Sequence, residues 1–444
     1  MTAGIAGTSI RSVRPPRPGV VARLLALSAL LSLFLGQPSR AQAPVTIGRF
    51  DFNFSNPGAR SLGFGGAFVA LADDATASFA NPAGLVQLTR LEVSVEGRYW
   101  DRSTRFLAGG RFDGEPTGIG RDTLRGLQYG RSESSEAGLS FASVVFPHGR
   151  WAFALYGHRA ASFEFEAESQ RIFFEDDESD SFEFGFDASR ERVDLDLATV
   201  GLVAAFRPTE WASVGVALVH SATALSTNGE FYIPDDGWGG GIYEANHFLP
   251  ERLLSRTFVE IDDRDLSWSA GARFHLPSRL DAGLVFRRGA RFHGSSGVES
   301  GPAVGDPPFS GETVAHFAVP DVWAAGLSYR SGDGAWTLAG EVDRVGYDGL
   351  LDIESNNEIE AFNPEYSNGW EYHLGGEFAF LARVPVVAVR LGGWLETAER
   401  GTLTRHRTHW SAGVGVAARS LQIDLGIDLA EELDTASISF VYSF

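Results

Sequence analysis

At 444 residues the chain has room for two or three soluble domains or one very large sheet, and its net charge of −20 argues against a nucleic-acid partner. It has no cysteine, which excludes disulfides and thiolate metal sites, and no lysine. The first element is a leader. Arg11, Arg14, Arg17 and Arg23 precede an apolar run from Leu24 to Leu35, too short to span a bilayer and flanked as an export signal is. Ser39-Arg40-Ala41 is the expected cleavage site, so residues 1–41 read as a signal peptide. The leader carries five arginines and no acid, so the rest of the chain is more acidic still. Beyond it no apolar stretch reaches the roughly 18 residues that a membrane helix needs. A mature chain that meets a membrane must therefore do so as a closed β-barrel, because only closure satisfies every backbone group in lipid.

Next comes LGFGGAFVALADDATASFANPAGL, Leu62 to Leu85. Three glycines before an apolar run suggest a phosphate-cradling loop, but such a loop needs a strand before it, a helix after it and a parallel sheet around it. The remainder of the chain reads as antiparallel throughout. Fourteen strands are expected, at 91–100, 135–146, 151–163, 192–206, 211–223, 266–275, 279–290, 322–330, 335–346, 369–380, 385–396, 408–418, 421–430 and 435–444. Most are near the length that crosses a bilayer at a tilt. Period-2 alternation is clearest near the end, where Leu421, Ile423, Leu425, Ile427 and Leu429 oppose Gln422, Asp424, Gly426 and Asp428. Six tight turns such as VFPHGRWAF (Val145–Phe153) and FRPTEWASV (Phe206–Val214) alternate with mostly longer polar stretches. Short turns at one rim, long loops at the other and an even strand count describe a bacterial outer-membrane barrel. Trp151, Trp211, Trp336, Phe146, Phe206, Phe274 and Phe380 cluster at the short-turn ends, where an interfacial girdle belongs. The chain ends on Phe444 in an alternating aromatic strand, which looks like the signal that hands such proteins to the barrel-assembly machinery.

The stretch NPGARSLGFGGAFVALADDATASFANPAGL (Asn56–Leu85) resembles the N-terminal hatch of the FadL-type outer-membrane transporters of long-chain fatty acids and other hydrophobic compounds. That resemblance implies an all-β fold, a 14-stranded antiparallel transmembrane β-barrel (residues 91–444) with a hatch (residues 42–90) inside its lumen. The hatch motif falls on Asn81, Pro82, Ala83 and Gly84. A barrel of this width cannot be filled by its own side chains, so a plug is physically reasonable. Alanines at 67, 70, 72, 75, 77 and 80 would let it pack compactly, and Gly63, Gly65 and Gly66 would let its backbone approach the wall. Asp73 and Asp74 are expected to meet lumenal arginines such as Arg273, Arg287 and Arg390. The family's sideways release through a kinked third strand maps to Gly157 and Arg159, where a glycine interrupts the row Trp151, Phe153, Leu155. Candidate contacts for a hydrophobic ligand are Phe64, Phe68, Phe79 and Leu85.

Catalytic chemistry is not expected, and neither is a cofactor. The ten histidines show no HxH, HxxxH or HExxH spacing, and HRTH (His406–His409) reads as an exposed rim, so no metal is expected. The acidic run at 174–187 reads as a solvated outer loop facing lipopolysaccharide. The expected function is passive uptake of hydrophobic small molecules across the outer membrane, in contact with its lipid and lipopolysaccharide. A structural or secretion-accessory barrel and a water-filled porin are the rival readings, the latter because of lumenal acids such as Asp281, Glu341, Asp343, Glu371, Glu377, Asp424 and Asp428.

Overall fold

The computed structural model describes residues 56–116, 118, 122–174, 184–233, 248–304, 308–355, 368–400 and 403–444. The expected signal peptide and most of the acidic run at 174–187 lie outside the described residues. Fourteen antiparallel strands close into one barrel. They are β1 (Glu92–Arg111), β2 (Leu127–His148), β3 (Trp151–Ser169), β4 (Ala188–Thr209), β5 (Ala212–Tyr232), β6 (Leu253–Leu276) and β7 (Leu280–Arg287). The series continues as β8 (Asp321–Arg330), β9 (Trp336–Gly346), β10 (Gly369–Phe380), β11 (Val386–Arg400), β12 (Leu403–Ala418), β13 (Leu421–Leu429) and β14 (Leu433–Ser443). Each pairs with its sequence neighbours, and β14 closes on β1 from Ser443 opposite Glu92 to Leu433 opposite Arg102.

The alternation fixes the faces as period 2 requires. On β13, Leu425, Ile427 and Leu429 are exposed outward, whereas Asp424 and Asp428 are buried in the lumen. Aromatic side chains mark two levels of the outer surface. Trp151 packs on Phe206, Trp211 on Phe274 and Trp336 on Phe378 at the short-turn rim. Phe286 packs against both Trp268 and Trp323 higher on the wall. On β10, Trp370 and Phe380 are both exposed. Ten residues separate them, about 33 Å along a strand and about 25 Å of height at a typical tilt. An outward surface of that height and character is stable against hydrocarbon rather than water.

Several strands run well past the expected ends: β1 reaches Arg111, β2 begins at Leu127, and β5 and β6 meet at Tyr232 and Leu253. The polar stretches read as loops in the sequence, but the wall continues through them. Its outward face there is ionic, with Arg190 against Glu168 and Arg192 against Glu164 and Glu166.

Two departures from the ladder turn apolar residues inward at this upper level. On β3 the register against β4 slips between Arg159 and Ala161, leaving Ala160 as a bulge. Odd residues therefore face out below the bulge (Trp151, Phe153, Leu155) and in above it (Phe163, Phe165). On the far side, residues 288–290 leave the ladder after β7 and the chain resumes as Arg291–Ser300, with Phe292 inward. It returns through Ser310–Ala318, with Phe317 inward, before entering β8. Phe163, Phe165, Leu195, Ile261, Phe292 and Phe317 belong to one buried apolar cluster inside the upper barrel.

The face assignment predicts an asymmetry. Leu425→Arg should impair assembly by about 2–4 kcal/mol, the cost of a cation near mid-bilayer, whereas Leu425→Val should be nearly silent. Folding titrations into lipid vesicles, read by heat-modifiable gel mobility, check both; equal behaviour of the two variants would refute the outward face.

Candidate functional site: a segment inside the barrel and an interrupted wall

Residues 56–88 lie against the inner face of the wall, in two short helices (Ala59–Gly63 and Ala77–Ala80) and a 3-10 turn (Pro82–Gln87). The Asn81 side chain starts that turn by accepting from Ala83 N (3.1 Å), and Pro82, with no N–H to satisfy, occupies its first position. Asn81 Nδ2 also donates to Val69 O (2.8 Å) and to Ala272 O on β6 (3.3 Å), and Ser213 on β5 donates to Ala83 O (2.8 Å). Gly84 packs on Ala72 with no room for a Cβ. Asn81, Pro82, Ala83 and Gly84 thus form a knot that ties the segment to itself and to two strands.

Elsewhere the segment's backbone rests directly on the wall. Inward-facing glycines on β5 (Gly215), β7 (Gly283), β10 (Gly375), β11 (Gly392) and β13 (Gly426) meet it so closely that any Cβ would collide, and Gly271 on β6 leaves the same room for the Asn81 side chain. Gly65 and Gly66 adopt positive φ (71° and 74°) at the point where the chain turns against β10 and β11. The sequence does not single out these wall glycines, because a glycine on a polar face carries no pattern of its own.

Charge fastens the same contact. Arg60 binds Asp73, and lies 3.2 Å from Glu377 and 3.6 Å from Asp74. Asp73 also accepts from Arg330 (2.8 Å), and Arg390 joins Glu377 (2.6 Å) to Asp424 (2.7 Å). The expected arginine partners are therefore replaced. Arg273 bonds Ala70 O and Asp281, Arg287 bonds Asn56 and Ala80 O, and Arg390 serves wall acids only. The segment brings its own arginine, which no spacing rule in the sequence marks. Burial opposes charge on Asp73, yet the Arg60 and Arg330 guanidinium groups hold its carboxyl well below the usual range. Burial pushes the neighbouring Asp74 carboxyl up instead.

The wall is interrupted between β2 and β3. Their ladder runs from His148–Trp151 to Phe141–His158 and stops, so residues 127–140 have no backbone pairing to the rest of β3. Gly157 is paired on both sides, to Ala142 and Val200, and a Cβ there would meet nothing within 4 Å. The departure lies beyond Gly157, where Arg159 begins the gap and Ala160 forms the bulge. Side chains bridge the gap in place of backbone: Arg159 and Ser162 both contact Glu136, and Ser132 Oγ accepts from Glu166 N (2.9 Å), while Arg159 also holds Asp196 of β4 (2.5 Å).

No protein-family model matches the chain, and no curated protein sequence does either. Solved structures do match. The chain resembles a Pseudomonas aeruginosa FadL homologue (14% identity, 88% of this chain and 99% of that one, TM-score 0.65). It also resembles the Pseudomonas putida toluene transporter TodX (12%, 88% and 99%, 0.59) and the monoaromatic hydrocarbon channel CymD (18%, 89% and 99%, 0.57). The fold is that of the FadL-type barrels.

Within this FadL-type fold the four apolar candidates separate. Phe64, Phe68 and Leu85 are fully buried, the two phenylalanines mainly among the segment's own side chains and Leu85 against wall residues such as Val145, Val203 and Ala217. Phe79 is partly exposed, edge-on to His158 (4.7 Å) and Tyr156 (6.0 Å), with the Arg287 guanidinium over its ring (4.9 Å). HRTH is not a uniform rim: His406 is exposed, but His409 is buried, bonded to Asp428 (2.8 Å) and stacked on Trp394 (4.0 Å), because its strand position faces the lumen. At the short-turn end, a cleft of about 540 Å³ beside Val86 and Gln87 is lined by charged side chains including Arg207, Arg279, Arg330 and Asp281.

The ionic fastening has a pH signature. Asp73's carboxyl is depressed on folding, so its contribution to stability is complete above about pH 4 and is lost as pH falls through the lower folded value. Arg60→Gln should cost about 3 kcal/mol at pH 7, as breaking one partner out of a buried pair does. The gap between variant and parent should narrow at pH 3 and below, read as urea midpoints in detergent at the two pH values.

Proposed function

We propose that the chain is a passive transporter of hydrophobic molecules, long-chain fatty acids or hydrocarbons, across the bacterial outer membrane, with its inner segment as a fixed plug. The observation that carries this reading is the apolar cluster inside the upper barrel, directly above the bulge that opens the β2–β3 gap. A water-filled porin has no use for phenylalanines inside its mouth, and the buried segment opposes that reading further. In this account residues 1–41 export the chain, and Phe444, whose N–H bonds Leu91 O, presents the end that the assembly machinery takes. A hydrophobic molecule leaves the lipopolysaccharide surface for the upper apolar interior. It then meets Phe79, Tyr156 and His158 at the foot of the cluster and passes sideways through the gap into lipid. No bond of the ligand changes, so no enzyme chemistry is invoked. The names of similar structures, a toluene transporter and a monoaromatic hydrocarbon channel, support the substrate class.

Two results test this. Deleting Ala160 removes the bulge and swings Phe163 and Phe165 outward; uptake of radiolabelled oleate or toluene by cells should fall several-fold while heat-modifiable mobility stays normal. Gly157→Val, in open space, should leave uptake unchanged. Separately, the intact protein should be nearly silent in planar bilayers and a deletion of residues 56–88 should conduct ions. Large steady conductance from the intact protein would favour the porin instead.

A further inference from the structure

Two i, i+2 pairs stand side by side on the inner face of the wall. Glu341 and Asp343 on β9 lie opposite His373 and Glu371 on β10, in register. Asp343, Glu371 and His373 offer one ligand atom each, all within 4.8 Å of one another. His373 Nε2 is 3.3 Å from Glu371 Oε2 and 3.9 Å from Asp343 Oδ2.

The tautomer of His373 is set by its other nitrogen. Nδ1 lies 2.8 Å from Gly65 O, an acceptor only, so Nδ1 carries a proton and donates it. Nε2 then faces the two carboxylates without a properly aligned hydrogen bond, and Asp343 Oδ1 and Glu341 Oε1 also lack partners. Asp343 is 6% exposed and Glu341 3%, so bulk water does not reach them. Buried acids arranged like this are paired or coordinate a metal. Carboxylates gathered around that nitrogen call for positive charge at its position, which either a proton on Nε2 or a bound metal cation supplies. A histidine that ligates through one nitrogen while donating from the other to a backbone carbonyl is the arrangement metal sites use to orient the ring.

We propose that Asp343, Glu371 and His373 bind one divalent cation of the zinc class inside the barrel. Two carboxylates and one imidazole are hard-to-borderline donors suited to Zn²⁺, Co²⁺ or Mn²⁺, and a fourth position remains for water or Glu341. Ligands at about 2.0–2.2 Å from such an ion lie about 3.3 Å apart, so the three atoms need only a small inward adjustment. The site also grips the plug. His373 holds Gly65 O, and Glu341 Oε2 accepts from Val69 N (2.7 Å), so the ion would stiffen the wall on both sides of Gly65–Val69. The sequence hides this because the ligands are spaced ExD and ExH on two strands, and only strand register brings them together.

The test uses the full-length barrel in detergent, stripped with EDTA and titrated with Co²⁺ while visible d–d absorption is recorded, then displaced by Zn²⁺. One Co²⁺ per chain is expected, with the affinity reduced more than about tenfold in Asp343→Asn and in Glu371→Gln. Zn²⁺ should raise the temperature at which the parent loses its compact gel form, and should not do so in either variant. A control pair, His293→Gln with His316→Gln, removes an exposed and a half-buried histidine whose rings lie 5.0 Å apart on the outer extension. Loss of Co²⁺ binding in that control with retention in Asp343→Asn would overturn the proposal, as would no Co²⁺ binding by the assembled parent at micromolar concentration. Heat-modifiable mobility of each variant confirms assembly before its titration is read.

Discussion

The width of the barrel governs the rest of the molecule. Fourteen strands enclose a lumen that inward side chains cannot fill, and here the lower half is filled by the chain's own backbone. A buried backbone brings unsatisfied N–H and C=O groups with it, and nearly all such groups must find partners. The wall supplies them: Glu96 to Gly58 N, Glu341 to Val69 N, Arg273 to Ala70 O, Ser143 to Ala75 O and Ser213 to Ala83 O. The polar lumenal face, which in an open porin would address water, addresses this segment instead. The wall glycines answer the same demand sterically, since backbone can lie on backbone only where no Cβ intervenes.

Much of the architecture is legible in the sequence because membrane barrels write it in two robust signals, alternation along strands and the contrast between short and long connections. Leu425 out and Asp424 in need nothing beyond period 2. What period 2 cannot express is a change of phase. The Ala160 bulge reverses the face of every residue after it on β3, so Phe163, on the same parity as Trp151, ends up inside. The apolar cluster of the upper lumen is invisible in the sequence for that reason. The glycine at 157 draws attention to the right strand, but a glycine in open space has no power to bend it. Asn81–Gly84 stands out as a turn in the sequence, while its bonds to β5 and β6 depend on partners more than a hundred residues away. Long-range ion pairs are hidden similarly: Asp73 finds Arg60 thirteen residues upstream and Arg330 on the wall, and spacing alone favours neither.

The interior divides by height. Below, ions and hydrogen bonds dominate, and around Arg390 each charge has a partner within about bonding distance: Glu377, Asp424 and, through Glu377, Arg60. Such pairs do little for net stability against an apolar alternative, because desolvation consumes most of the attraction, but they punish misplacement of either member severely. Their contribution is specificity of seating: the segment fits one way. Above, Phe163, Phe165, Phe292 and Phe317 make non-directional contacts that a ligand of many shapes could replace.

That division bears on direction of travel. Moving this segment aside would break its hydrogen bonds with Glu96, Glu341, His373, Arg273, Ser143 and Ser213, each worth roughly 0.5–1.5 kcal/mol, and would strand the buried charges of Arg60 and its partners at about 3–5 kcal/mol. Parting β2 from β3 above His158 breaks no ladder, since none is there. It needs only the release of Glu136 from Arg159 and Ser162 and of Ser132 from Glu166 N, the ion pair being a partly exposed one of the kind worth about 0–1 kcal/mol. The charged cleft at the short-turn end points the same way, because an apolar molecule gains nothing by entering it. For the hydrophobic passenger proposed above, the cheaper route would therefore be through the wall, toward lipid, with residues 56–88 left in place.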